Sequence, residues 1–160
     1  GTDSHTCTHG AFGTFATGIG NTEAAFVMGT GRLWLKVPAT WRFAFTGKLP
    51  AYLMAKDLIL HLIGEIGADG ATYQALEFGG DTIANMPLSQ RLTVANMAVE
   101  AGAKVGLFPA DSSTRGYLAS KGRGDHYQPV SPDSDAIYEQ TINIDAASRY
   151  TDMVIKVLHL

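Results

Sequence analysis

Between residues 40 and 145 the apolar positions switch repeatedly between two periods, and this switching limits the possible folds more than any single motif does. In "TWRFAFTGKL", Trp41, Phe43 and Phe45 alternate with Arg42 and Ala44, the period of a strand with one buried face. From Met54 to Ile66 the spacing lengthens: Leu58, Leu62 and Ile66 stand four apart with Ile59 and Ile63 beside them, an amphipathic helix stopped by Gly67. "TYQALEF" (72–78) predicts a second strand, "GGDTIANMP" a turn-rich link, and "QRLTVANMAVEAG" a helix capped by Ser89 and closed by Gly102. "KVGLFPAD" (104–111) reads as a strand running into a loop, and "YEQTINID" and "DMVIKVLHL" read as two more strands. Strands alternating with helices predict an α/β layered sheet, here as one unit over residues 1–160. Residues 112–134, rich in Ser, Gly, Asp and Pro, form a loop-rich segment with one short helix around Tyr117.

Upstream, "HGAFGTFATGIGNTEAAFVMGTG" (9–31) mixes small residues with Phe12, Phe15, Ile19, Phe26 and Met28. It predicts two short helices broken near Gly18 to Asn21, with Asn21 or Thr22 capping the second. Several glycines together imply close packing of backbone against backbone or ligand.

The densest chemistry stands at the start, in "GTDSHTCTHGAFG". Asp3, Ser4 and His5 have the residue types of a hydrolase triad, but triad members meet across a fold, and neighbours in an extended segment point to opposite faces. His5, Cys7 and His9 on one side of an extended strand would be a soft-metal arrangement, awkward for tetrahedral zinc and without an evident fourth ligand, since His61, His126 and His159 are scattered. Cys7 otherwise reads as a small, half-buried apolar residue. Phosphate-loop signatures are absent: "GTGRL" and "GIGNTE" lack the lysine-hydroxyl pair. The hydroxyls of Thr2, Ser4, Thr6 and Thr8 run into a glycine-rich helix start, an edge suited to a carboxylate or phosphate.

A second constellation lies on the helix after Ser89. Asn96 and Glu100 are four apart and share a face, with Thr93 one turn earlier. A solvated face explains such a pair. Their neighbours are Ala95, Met97, Ala98, Val99 and Ala101, however, and a polar pair on an apolar turn points to an interior cleft.

Bulk properties exclude several functions. A net charge of −3 and no basic run argue against nucleic acid or an acidic membrane surface as partner. No run of about 18 apolar residues marks a membrane span. The single cysteine cannot form an internal disulfide, so a reducing, cytoplasmic setting is expected. Charged residues are 17% of the chain, against about 25% in ordinary domains, so part of the surface is expected to be covered in the native assembly. Gly1 in place of methionine, with reactive residues following at once, reads as a piece of a longer protein.

"GTDSHT", then "THGAFGTFATGIGNTE", then "GKL", then "NMAVEAGAKVGLFPAD" together resemble the iron–sulfur hydro-lyases of the aconitase superfamily, nearest to the 3-isopropylmalate dehydratase large subunits and their homoaconitase relatives. The resemblance runs in order from Gly1 to about Ala147. It implies layered α/β/α domains around a [4Fe-4S] cluster, closed by a swivelling small subunit. The reaction it implies is reversible dehydration of a hydroxy di- or tricarboxylate, of the 2-isopropylmalate to 3-isopropylmalate type in leucine biosynthesis, or the homoaconitase step of lysine biosynthesis. By position it makes His5, Glu100 and Asp3 catalytic, has Asp3, Ser4 and His5 bind substrate, pairs Glu100 with His5, and turns Asn96 toward the cluster. A histidine–carboxylate pair suits the expulsion of hydroxide, because one group holds the other's protonation state.

The departures from that pattern are as informative. The family's cluster hangs on three cysteines, and Cys7 falls at a variable position of its motif, so no metal is expected on this chain alone. Arg91, Arg115 and Arg123 match none of the family's carboxylate-binding arginines. The expectation is therefore an internal portion of a larger subunit, inactive alone, that requires the remaining domains and the small subunit. A binding or scaffold module that keeps the carboxylate-friendly edge, and a small metal enzyme built on His5, Cys7 and His9, stay open as alternatives.

Overall fold

The structure, a computed structural model, describes residues 1–147. Four parallel strands form one sheet in the order β3-β2-β1-β4. They are β1 (Thr40–Thr46), β2 (Ala75–Gly79), β3 (Val105–Leu107) and β4 (Gln140–Asp145). Phe43 pairs in register with Phe78 on one side and Ile142 on the other, so the alternation read in β1 aligns across neighbouring strands into one apolar face. That face meets α2 (Ala55–Ile66) and α4 (Leu88–Met97), with Leu58, Ile59, Leu62, Val94 and Ala95 buried in the same core. Burying each of the larger aliphatic side chains stabilises the fold by about 1.5–3 kcal/mol. The opposite face carries Arg42 and Glu77; Tyr138 donates to Glu77 at 2.9 Å and lies under the Arg42 guanidinium. The α/β class is the one the alternation implied.

Several boundaries differ from the sequence reading. The first helix is a 3₁₀ helix over Ser4–Phe12, beginning five residues before His9, so Ser4 to His9 are not extended. α1 (Asn21–Thr30) is capped by Gly20, whose N–H donates to Glu23 at 2.7 Å, rather than by Asn21 or Thr22. β2 starts at Ala75 because Tyr73 adopts φ 63° in the preceding turn. The link after β2 contains a short helix, α3 (Asp81–Ala84). Pro87, not Ser89, stands at the start of α4, which tightens into a 3₁₀ turn over Ala98–Ala101 before Gly102. The helix foreseen around Tyr117 is α5 (Ser112–Ser120). The strand expected in "DMVIKVLHL" lies outside the described residues.

One packing detail positions the site. The Ser4–Phe12 helix lies against β3, where Phe108 N–H donates to the Gly10 carbonyl at 2.9 Å. A Cβ on Gly10 would stand 2.0 Å from the Gly106 carbonyl oxygen, and one on Gly106 would stand 3.0 Å from Ala98 Cβ. The two glycines let the first helix, β3 and the end of α4 stack without side chains between them. Residues before Gly10 are thereby brought beside residues after Ala95.

Candidate functional site

Asp3 caps the 3₁₀ helix: its Oδ1 accepts the His5 N–H at 2.7 Å. This bond sets where the His5 side chain departs from the backbone. The two ring nitrogens of His5 then face different partners. Nε2 stands 3.5 Å from Glu100 Oε1, while Nδ1 stands 3.2 Å from Ser4 Oγ and 3.7 Å from Asp3 Oδ1. His5 and Glu100 are both solvent-accessible, at 45% and 56% of their side chains. The His5 ring thus stands between two carboxylates with one side open to solvent.

Asn96 and Glu100 do stand together against the first helix. Asn96 Nδ2 donates to Thr8 Oγ1 at 2.9 Å, and the Cys7 thiol donates to the Asn96 carbonyl at 3.4 Å. Thr93 takes no part, since its hydroxyl donates back to the Ser89 carbonyl at 3.3 Å. The cleft beside Ser4, about 320 Å³, is walled by Thr2, Gly18, Val99 and Lys104. A cleft of about 600 Å³ by Gly47, Asp81 and Gln90 shares no residue with this site.

Two sequence readings are corrected here. Of the four hydroxyls imagined around an anion, two are committed to the backbone: Thr6 donates to the Asp3 carbonyl and Thr8 to the His5 carbonyl, both at 2.6 Å. The N-terminus of α1 is occupied by the Glu23 carboxylate. The metal trio is dispersed too, because three residues per turn spread positions 5, 7 and 9 around a 3₁₀ helix. Cys7 is buried, and His9 donates from Nδ1 to the Thr6 carbonyl at 2.9 Å. His61 is buried on α2, His126 sits in a 3₁₀ turn over Gly124–His126, and His159 lies outside the described residues.

Nor do the residues present suit an iron–sulfur cluster. Cys7 is the chain's single cysteine, its side chain is 1% exposed, and burial pushes its thiol up, with backbone hydrogen bonds opposing this and the charges of Asp3 and Glu100 adding to it. That disfavours the thiolate a metal requires. Among the described residues no three His, Cys, Asp or Glu side chains are grouped so as to hold a metal ion. No helix among them is long and apolar enough to cross a membrane.

The sequence reading overlooked one more pair. Arg91 is fully buried and donates to Asp111 Oδ2 at 2.6 Å and to the carbonyls of Met86 and Ala84 at 3.0 and 3.3 Å. Asp111 also caps α5 by accepting from Ser113 N–H at 2.9 Å. Burial alone would raise the Asp111 carboxyl, but the Arg91 hydrogen bond and charge and the Thr114 and Ser113 amides hold it below the usual range. The signal available in the sequence was "PAD" followed by two serines, an N-cap pattern.

A family model described as "Aconitase family (aconitate hydratase)" matches residues 1–156. A 3-isopropylmalate dehydratase large subunit from Elusimicrobium minutum is 59% identical over 148 residues, covering 92% of this chain and 35% of that protein. One from Methanopyrus kandleri is 51% identical over 147 residues, covering 92% and 35%. A 2,3-dimethylmalate dehydratase large subunit from Eubacterium barkeri is 51% identical over 145 residues, covering 91% and 34%. The chain thus spans about a third of the length of the curated relatives it matches. A match along nearly the whole chain, over residues 1–156, means that this chain belongs to the aconitase family.

Proposed function

We propose that this chain supplies one edge of the active site of a hydro-lyase that interconverts 2- and 3-isopropylmalate, or a closely related alkylmalate, by loss and readdition of water, a step of leucine biosynthesis. Asp3, His5 and Glu100 are its catalytic residues, and Asp3, Ser4 and His5 bind the substrate. The observation that carries this reading is the contact between His5 and Glu100, made by two segments far apart in the sequence. Dehydration needs a proton delivered to a departing hydroxyl, and an accessible imidazole paired with a carboxylate can deliver it and recover it on rehydration. Asp3 orients His5 through the backbone, and Ser4 offers a hydroxyl at the mouth of the adjacent cleft.

The complete protein holds a [4Fe-4S] cluster through residues other than those described above, with Asn96 on the side of the site that faces it. A small subunit closes the site, which accords with the "large subunit" names of the relatives. Relatives named for isopropylmalate and for dimethylmalate match this chain at similar identity, so residues elsewhere choose the alkyl group. The alkylmalate names favour this reading over the homoaconitase one.

Incubating the complete protein and its small subunit with 2-isopropylmalate in D₂O tests the reading. Interconversion with deuterium entering the product is the expected result. Recovery of unexchanged starting material from a cluster-loaded preparation would contradict it.

A further inference from the structure

α1 has the composition of a buried helix and the surroundings of an exposed one. Between its first turn and Thr30 it runs "AAFVMG" (24–29), apolar on every side. A helix without a polar face belongs inside a protein. Ten residues are also too few to hold a helix in water without packing. Yet none of the ten is buried against the other described residues, and Met28 is 88% exposed. The strap that follows, residues 31–38, continues this surface. Trp34 is 93% and Val37 83% exposed, with Phe26, Leu33 and Leu35 open beside them. Between Leu33 and Val37 the only main-chain group bonded among the described residues is the Lys36 carbonyl, which accepts the Tyr73 hydroxyl at 3.4 Å. The strap therefore has main-chain groups to pair, as well as side chains to bury.

We propose that α1 and the 31–38 strap are the seat on which the rest of the same large subunit packs. Two observations choose this occupant over the small subunit or a second copy. This chain spans 35% of the Elusimicrobium minutum relative, so roughly two-thirds of a large subunit of that length is available as cover. The surface is also continuous and apolar, with Arg32 and Lys36 its only charged side chains between Glu23 and Val37. Contacts of that composition are permanent ones. A large subunit that folds before it meets its partner needs such a patch covered by its own chain, because left open it would invite aggregation. The seat is tied to the site described above: the Ile19 N–H, just before α1, donates to the Gly1 carbonyl at 2.9 Å, and a Cβ on Gly18 would stand 2.9 Å from the Asp3 carbonyl oxygen. Covering α1 thus also steadies the Asp3–His5 edge. The proposal is independent of the reaction that the complete protein catalyses.

The test is hydroxyl-radical footprinting, read by peptide mass spectrometry, on the complete large subunit without its small subunit and diluted until monomeric. Met28 and Trp34 report on the seat, and Met86, 4% exposed, serves as the buried control. Close packing keeps the radical out, so both reporters are expected to oxidise at least about fivefold more slowly than in the urea-unfolded subunit. Adding the small subunit, or raising the concentration, should leave both rates unchanged. Weaker protection than this overturns the proposal. Protection that appears only with the small subunit assigns the seat to that partner, and protection that appears only as the concentration rises assigns it to a second copy; either result overturns the proposal too.

Discussion

Nε2 of His5 stands 3.5 Å from Oε1 of Glu100, although one residue lies in the first turn of the first helix and the other in the 3₁₀ turn that follows α4. The contact depends on backbone packing rather than on either side chain. The first helix lies on β3 because Gly10 and Gly106 carry nothing between them, and α4 reaches the same place because Ala95 and Ala98 are small.

That packing gives a first prediction. Gly10→Ala would drive a methyl group to about 2 Å from the Gly106 carbonyl oxygen, so the first helix has to lift away from β3. The expected outcome is a loss of about 1–3 kcal/mol, the usual range for overpacking, together with impaired turnover. Chemical unfolding and kcat measured on one preparation check both parts.

The Arg91–Asp111 pair gives a second. Removing Asp111 leaves the fully buried Arg91 charge uncompensated, and Asp111→Ala should cost about 3–5 kcal/mol. Asp111 titrates below its unfolded value of about 3.9, so its stabilising effect is complete above that pH. It is lost as pH falls through the lower folded value. Asp111→Asn is expected to flatten the acid limb of the stability curve below about pH 4, read by urea unfolding at a series of pH values.

Cys7 supplies a third. Its raised pKa and 1% exposure predict alkylation by iodoacetamide at pH 7.5 at least about tenfold slower than that of glutathione, since the thiolate is the reacting form. Intact-mass spectrometry over time gives the rate. Labelling as fast as a free thiol would mean that the Cys7–Asn96 contact opens readily.

Much of this was legible in the sequence, and the illegible parts have physical causes. The alternation of Trp41, Phe43 and Phe45 gave β1, and the spacing of Leu58 and Leu62 gave α2, because burial on one face leaves a periodic mark. Asp3, Ser4, His5, Asn96 and Glu100 could be singled out by position, and the two clusters do lie together. Hydrogen-bond direction left no such mark. Thr6 and Thr8 resembled an anion-binding array, yet each gives its proton to a carbonyl one 3₁₀ turn back. The α1 cap was misplaced because glycine with a reaching Glu23 does the work expected of Asn21 or Thr22. Arg91 looked unassigned because its partner Asp111 lies 20 positions away, on the far side of β3 in the chain.

The central claim, that His5 and Glu100 act as a proton-handling pair rather than as a solvent-exposed contact without a part in turnover, is tested most directly by kcat/KM of the complete protein with Glu100→Gln. A fall of at least about 100-fold is expected, within the range that general acid–base groups contribute. The unfolding midpoint should hold, because Glu100 is exposed and surface substitutions usually change stability by less than about 0.5 kcal/mol. A kcat/KM within threefold of the parent, or a loss of activity that only follows a loss of fold, would contradict it.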